Sequence, residues 1–515
     1  MCYKPVYRVR WLKNKAAILI IIWTYLVTTV YHLLRSGYIN YPQHNYSISV
    51  MGITLIAAAL LYPVGGWLAD TYFGRYKTIQ FSMWVMWITT LLMTVNELVA
   101  DGNAFSSSHI YLSITRYTLS LILAMGLGGF LSNIVQLGID QLTDASTTEI
   151  TSFITWYTLM PYISGVTLQY ATYCTVSSFY VRTFAVTLFL SVALCLDGLF
   201  NHWLIKECAN RTSLNLVYKV VKFLIKYKHG LVVNSVSRFD AAKHMHGGPF
   251  TNQQVEDVKS ILHIILLIAV CTTVTGGIAP IEYATEKLQR TMQGWSHKHW
   301  IINCYESLSI WYNDYWLVIV LVTLYEFIIY PLHIRCFAKI KITSRFLLGT
   351  VLFLLHTLAL LIIEITTSYS GETKANTNST KCIFTTDDKN EMTLVNYKWL
   401  LAPGFMRGLS IFLFFTSAIE FIWAQTPYYM TGLALGTMYA FLGLNTTIQA
   451  VIASPFLFFK TPWRNVPLTC GIWYFLLQGA LVAIFLTVGI VMVSKYKGRE
   501  RNDSSLKSYT ESVNN

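Results

Sequence analysis

Charge is what this 515-residue chain has least of: only 12% of its residues are Asp, Glu, Lys or Arg, against 54% that are hydrophobic. The nine cysteines are scattered, with no Cys-x-x-Cys pair and no Cys/His spacing, so neither a metal site nor a redox centre has support. No His-rich run or nucleophile motif occurs, and the acids inside apolar runs are too few for a hydrolytic site. The expectation is no enzyme, no catalytic residue, no cofactor and no metal. Apolar surface is what the chain has in abundance. Its mean hydropathy of +0.47 lies outside the range of soluble globular domains.

A helix crosses a hydrocarbon core of about 30 Å with roughly 20 mostly apolar residues, and in lipid its backbone groups must pair within the segment. Apolar runs of that kind fall near residues 16–34, 48–69, 78–96, 110–138, 150–172 and 183–205, and again near 260–281, 316–338, 344–365, 398–421, 431–459 and 467–493. Six spans, a polar gap and six spans predict an all-α membrane protein of 12 transmembrane helices. The organisation expected is a cytosolic N-terminus (1–15), a six-helix bundle (16–205), a cytosolic linker (206–259), a second six-helix bundle (260–494) with an outer loop at 366–397, and a cytosolic tail (495–515). The first run follows Lys13 and Lys15, is too long for a secretory signal and lacks a small-residue cleavage site, so it is expected to be retained. Trp11, Trp300, Trp311, Trp316 and Trp399 stand at run edges, where an amphipathic ring suits the lipid interface; packing is the plainer alternative for each.

The net charge of +13 does not call for a nucleic-acid partner. With the N-terminus cytoplasmic, 25 of the 38 Lys and Arg fall on the inner side and 10 on the outer, as the positive-inside rule requires; Arg35, Arg116 and Arg407 lie in or at spans. The inner basic residues can also touch anionic lipid. Sequons agree with this topology. Asn45 and Asn378 lie in the first and fifth outer loops as expected glycosylation sites, whereas Asn210, Asn445 and Asn502 sit where glycosylation cannot reach. Cys174, Cys304 and Cys382 fall outside, which leaves a Cys304 to Cys382 disulfide open.

The linker begins with a basic amphipathic run, Leu216 to Lys226, expected as a helix lying on the inner leaflet. Gly247-Gly248-Pro249 signals a turn, and Thr251-Asn252-Gln253-Gln254 has the pattern of a capping box opening the helix into span 7. Two six-helix halves joined by such a linker match the parallel-repeat architecture of the major facilitator superfamily. The inner loop after span 8 (Arg335, Lys339, Lys341, Arg345) takes the place that Arg75 and Lys77 take after span 2.

The strongest motif runs from Gly65-Gly66 through Ala69-Asp70 and Gly74-Arg75 to Lys77-Thr78-Ile79. Small residues allow span 2 to pack closely on a neighbour, Asp70 puts a carboxylate at a membrane boundary, and Gly74 permits a tight turn before two cations. Such an anion and its cations can latch the halves in one conformation. Here the chain resembles the proton-dependent oligopeptide transporter family, whose signature has a Gly-rich span 2, Ala-Asp, Gly-Arg and Thr-Ile. Gly126, Gly128 and Gly129 followed by Gly138-Ile139-Asp140-Gln141 resemble its span 4, and Phe153, Trp156 and Tyr157 its span 5 aromatic cluster. The linker from Gly247 to Lys259 is similar to that of animal peptide/histidine transporter-like members, and Ser417 to Pro427 resembles the span 10 motif. The likeness covers most of the chain, from span 2 to span 12.

The resemblance implies a secondary active transporter of di- and tripeptides or of amino acids such as histidine, working by alternating access with proton symport in the plasma membrane or an endolysosomal membrane. Glu420, a carboxylate inside the apolar run of span 10, is costly enough there to be a functional candidate on its own. In the family this position receives the substrate ammonium; the alternative is a structural pair with a basic group. Tyr157, Trp156 and Trp423 would line the pocket. Asp70, Arg75, Lys77, Asp140 and Gln141 would form the latch, and Arg35 with Glu282 an outer gate pair. Span 1 departs from the family. Residues Ile21 to Tyr31 hold none of its two Glu and one Arg, Leu131 replaces its span 4 Lys, and Pro161 its span 5 Asn. These losses leave a second reading: a coupling-deficient member acting as facilitator, receptor or scaffold. His32, near the end of span 1, titrates in the range the lost acids would have served, and Glu326 resembles an acidic span 8 position.

Overall fold

The structure is a computed structural model that describes residues 10–39, 59–102, 109–143, 145–173, 179–206, 213–226, 239–275, 281, 284–285, 288, 313–329, 342–372, 395–457 and 470–495. These residues are almost entirely helical. In chain order the helices are α1 (Lys15–Ile39), α2 (59–68, continued by a π turn Ala69–Phe73), α3 (Arg75–Gly102), α4 (His109–Asp140), α5 (Thr147–Tyr173) and α6 (Phe179–Phe200). The linker contributes α7 (Ser213–Lys226). Then follow α8 (Asn252–Thr275), α9 (Asn313–Leu324, continued by a π turn Tyr325–Ile329), α10 (Ile342–Glu372), α11 (Leu401–Gln425), α12 (Thr431–Leu457) and α13 (Cys470–Lys495).

Eight of these, α1, α3, α4, α6 and α10 to α13, are long and apolar enough to cross a membrane. With α2, α5, α8 and α9 they make twelve helices among the described residues, the number expected from the apolar runs. Most overrun their apolar stretch because helical hydrogen bonding continues into the polar ends once begun. Thus α10 reaches Glu372, several residues into the stretch expected to be outer loop, and the Thr366 and Thr367 hydroxyls bond back to carbonyls one turn earlier.

Packing divides the twelve into two sets. Among α1 to α6 the main pairings are α3 on α4 and α6, and α1 on α4, α5 and α6; among α8 to α13 they are α10 on α11 and α13, α12 on α8, and α9 on α11. Across the divide α4 packs on α12, and α5 on α9 and α11. Small residues permit the closest approaches. A Cβ at Gly65 would stand 2.7 Å from the Gly129 Cα in α4, and one at Gly66 would stand 2.1 Å from the Gly432 carbonyl oxygen in α12. The second contact joins the two sets.

The capping box is present, with Thr251 N–H donating to Gln254 Oε1 at 3.1 Å and Gln254 N–H to Thr251 Oγ1 at 3.3 Å. Gly247 takes the left-handed conformation (φ 83°) that the turn needs. Helix α7 corrects an expectation. Its apolar face is not turned to lipid but packs through Leu216, Val217, Val220 and Phe223 on Val255, Val258 and Ile261 of α8 and on Met430 and Leu433. Lys219, Lys222 and Lys226 remain on its exposed side. Trp11 is likewise buried rather than lipid-facing, since its indole N–H donates to Ser152 Oγ at 3.2 Å. Trp316 and Trp399 are exposed as an interfacial ring should be, and Trp300 and Trp311 lie outside the described residues. Asn445, within α12, is buried and donates to Thr272 at 2.9 Å.

Candidate functional site

A charged group of inter-set contacts lies at the end of α2. There the π turn Ala69–Phe73 closes with Gly74 N–H donating to Ala69 O at 3.0 Å, and Gly74 adopts φ 79°, ψ 155°, a conformation costly for any residue with a Cβ. The extra residue in the turn aims Asp70 across the divide. Its Oδ2 accepts from the Leu433 amide at 3.0 Å, so a carboxylate of one set caps the N-terminus of a helix in the other. Arg75, the first residue of α3, completes the latch. It donates Nη1 to Asp140 Oδ2 at 2.7 Å, and Nη2 to the Tyr428 carbonyl at 2.7 Å and to Thr431 Oγ1 at 3.0 Å. Its guanidinium also lies 4.4 Å from the centre of the Tyr428 ring, and Asp70 Oδ1 is 3.8 Å from its Nε. Gln136 steadies Asp140 from one turn back at 2.8 Å.

Two residues expected in this latch are elsewhere. Lys77 is exposed on α3: two residues beyond Arg75, it points roughly 200° away around the helix. Gln141 works inside the first set, where it accepts from the Ile205 amide at 2.7 Å, donates to the Ile205 carbonyl at 3.2 Å, and offers its own carbonyl to Asn14 at 2.7 Å. Replacing Lys77 by Ala should therefore change stability by no more than about 0.5 kcal/mol, as for other exposed positions. Arg75→Ala measured alongside it by thermal unfolding should cost about 3–5 kcal/mol, because it leaves buried Asp140 without its cation.

Deeper along α5, a column of hydroxyls meets the second set. Thr151 Oγ1 donates to Glu420 Oε1 at 2.9 Å, and Ser152 Oγ to Glu326 Oε2 at 2.9 Å. Thr158 and Thr416 share a hydrogen bond of 2.9 Å, and the hydroxyls of Tyr157 and Tyr439 lie 3.4 Å apart. Interhelical bonds of this kind are worth only about 0.6 kcal/mol each in a membrane, so the column can be exchanged for other partners more cheaply than the Arg75 latch. Glu420 is buried, and a basic group does pair with it: Arg345 Nη2 lies 2.7 Å from its Oε2. Arg345 was expected in a loop, but it stands in the first turn of α10, folded inward beside α11.

Trp156 and Trp423 are half-buried, and the Trp156 ring packs edge-on to Phe327 at 6.0 Å. His32 is buried and donates Nε2–H to the Pro161 carbonyl at 2.7 Å; its ring also meets Tyr315 of α9 at 6.3 Å. Leu131 is half-buried against the core of the first set. The side chain of Arg35 and the whole of Glu282, Asn45, Asn378, Cys174, Cys304 and Cys382 lie outside the described residues. Sequence reading missed Thr151, Ser152, Thr158, Tyr428, Thr431 and Arg345; the hydroxyls carried no signal in a Thr-rich chain. Thr151, Thr155 and Thr158 do share one helical face.

With this geometry in place, comparison with known proteins is decisive for the fold. The structure superposes on an auto inhibited POT family peptide transporter with a TM-score of 0.63, covering 95% of this chain and 99% of that one at 13% identity. A POT family transporter crystallised in meso gives 0.64, with 94% and 98% covered at 13% identity. The chain has the POT fold. Its fold is therefore all-α, with the spanning helices arranged in two six-helix bundles as in these transporters. A third POT structure, in complex with 5-aminolevulinic acid, aligns at 0.56 and 11% identity over 94% of this chain and 96% of that one.

Sequence comparison bears out the family resemblance. Human solute carrier family 15 member 5 is 22% identical over 243 residues, 44% of this chain and 42% of that protein. Rat solute carrier family 15 member 3 is 28% identical over 122 residues, 20% of this chain and 21% of its own length. The matches thus span less than half the length of these curated relatives. No family model matches the chain.

Proposed function

We propose that the protein is a secondary active transporter of di- and tripeptides or of amino acids such as histidine, coupled to protons and working by alternating access of its two bundles. The observation that carries this reading is the latch. Asp70 and Arg75 of one bundle clamp the N-terminus of α12 in the other through contacts that are buried, charged and, among the described residues, gathered beside Gly74. A rigid scaffold would need no such concentration of exchangeable contacts at one end, whereas alternating access requires each end to close in turn. Relatives of known fold support the substrate class, one of them a POT family transporter in complex with a thioalcohol conjugated peptide.

In this reading Glu420 receives the substrate ammonium, which takes over the place of Arg345 and Thr151, and Tyr157, Trp156 and Trp423 line the pocket. The Asp70–Arg75–Asp140 cluster closes the cytoplasmic end, with both chain termini on that side. The Arg35 and Glu282 pair closes the outer end, Asn45 and Asn378 carry glycans, and the protein serves the plasma membrane or an endolysosomal membrane. Purified protein in liposomes should take up a labelled dipeptide in a saturable manner, and unlabelled histidine or a second dipeptide should compete. Uptake equal to that of protein-free liposomes for every peptide and amino acid tried would refute the reading.

A further inference from the structure

We infer that Arg345 is the residue that binds the substrate carboxylate, forming with Glu420 a site for a zwitterion. The inference rests on the transport reading above and assigns the second half of its binding site. Arg345, half-buried, and Glu420, buried, form an ion pair that leaves a hydrogen-bonding atom unsatisfied on each side. Glu420 Oε1 accepts from Thr151 across the divide, whereas its Oε2 lies 2.7 Å from Arg345 Nη2 as an ionic contact without an aligned hydrogen bond. Arg345 has its Nε buried with no hydrogen-bond partner.

Nε–H and one Nη2–H form a single edge of the guanidinium, the edge that grips a carboxylate with two parallel hydrogen bonds. Here Glu420 faces only the Nη2 end of that edge. A guanidinium with half its fork unused is under-satisfied in a buried place, and the Arg345 side chain keeps 24% of its surface open against 8% for Glu420. A carboxylate that displaces Glu420 from this edge can therefore use both donors.

Charge balance points the same way. Removing either partner alone would leave an uncompensated ion, so a purely cationic or purely anionic ligand is a poor guest. A zwitterion brings one charge of each sign. Its ammonium replaces the guanidinium at Glu420, its carboxylate takes the Nε and Nη2 edge of Arg345, and the site stays neutral throughout. Because Thr151 joins Glu420 to the opposite bundle, the exchange also acts on the contact between bundles. Arg345 lies on α10 and Glu420 on α11, so the two ends of the ligand would be held by neighbouring helices of one bundle, and the other bundle stays free to swing.

The test compares alanyl-alanine with its C-terminal amide as competitors of a labelled dipeptide in proteoliposomes. The wild type should bind the free acid at least about tenfold more tightly than the amide, the difference expected for a charge-assisted pair of hydrogen bonds. In Arg345→Gln the preference for the free acid should vanish, its affinity falling to or below that for the amide. Arg345→Lys, which keeps the charge without the fork, should fall between the two. Equal competition by acid and amide in the wild type would overturn the inference, as would an Arg345→Gln protein that still prefers the acid. Should Arg345→Gln not fold, the wild-type comparison and Arg345→Lys decide. Absence of uptake of any peptide by the wild type would instead refute the transport reading itself.

Discussion

Replacement of Gly66 by Val should abolish uptake while leaving the protein folded and in the membrane. Even a single added carbon at this position would stand 2.1 Å from the Gly432 carbonyl oxygen and 2.4 Å from its carbon, both backbone atoms that cannot turn aside. Overpacking of a tight contact costs about 1–3 kcal/mol and more where backbone must move, and about 1.4 kcal/mol shifts an equilibrium tenfold. The penalty falls on the latched state alone, because Gly66 meets Gly432 only when α2 and α12 are together. The substituted protein should thus rest with this end open. Thr155→Cys, placed on the face of α5 that meets the other bundle, reports it: an impermeant maleimide applied from the Gly74 side should label it faster in Gly66→Val than in wild type. Unchanged labelling together with normal uptake would show that α2 and α12 need not meet.

Glu420→Gln is the second large effect. It preserves shape and the acceptor for Thr151 but removes the charge that Arg345 faces and that an ammonium would need. Saturable uptake should fall at least about tenfold, in line with loss of a hydrogen bond to a charged group. Surface level and elution as folded protein must be unchanged for the loss to count, since Arg345 would be left without its anion. Uptake that persists at the wild-type rate would remove Glu420 from the site.

The sequence made the spans legible because lipid imposes a length and an apolar composition on any helix that crosses it. The runs from Ala16 and from Thr431 begin within one residue of α1 and α12. Asp70 and Arg75 were legible as charged residues flanking a tight turn at Gly74, and the structure brings both against the other set. Their partners were not. Arg75 reaches a carbonyl at Tyr428 and Asp70 an amide at Leu433, and backbone groups have no signature in the sequence. Lys77 was misplaced because a run of charges does not reveal which residue the first helical turn directs inward. Arg345 was read with its basic neighbours as loop; only the fold shows α10 beginning at Ile342 and bringing it beside α11. The amphipathic pattern of α7 was clear, but amphipathicity does not distinguish lipid from protein as the cover for an apolar face. Here Val255, Val258 and Met430 provide it, and Tyr429 adds a hydrogen bond to Asp257 at 2.7 Å beside it.

The central claim is that the two bundles alternate around a zwitterion site and that protons drive the cycle. Uptake of a labelled dipeptide into proteoliposomes under an inward proton gradient tests it most directly. The account predicts accumulation above the external concentration that vanishes when a protonophore collapses the gradient. Equilibration to the external concentration with no response to the gradient would contradict proton coupling, and uptake no greater than in protein-free liposomes would contradict transport altogether.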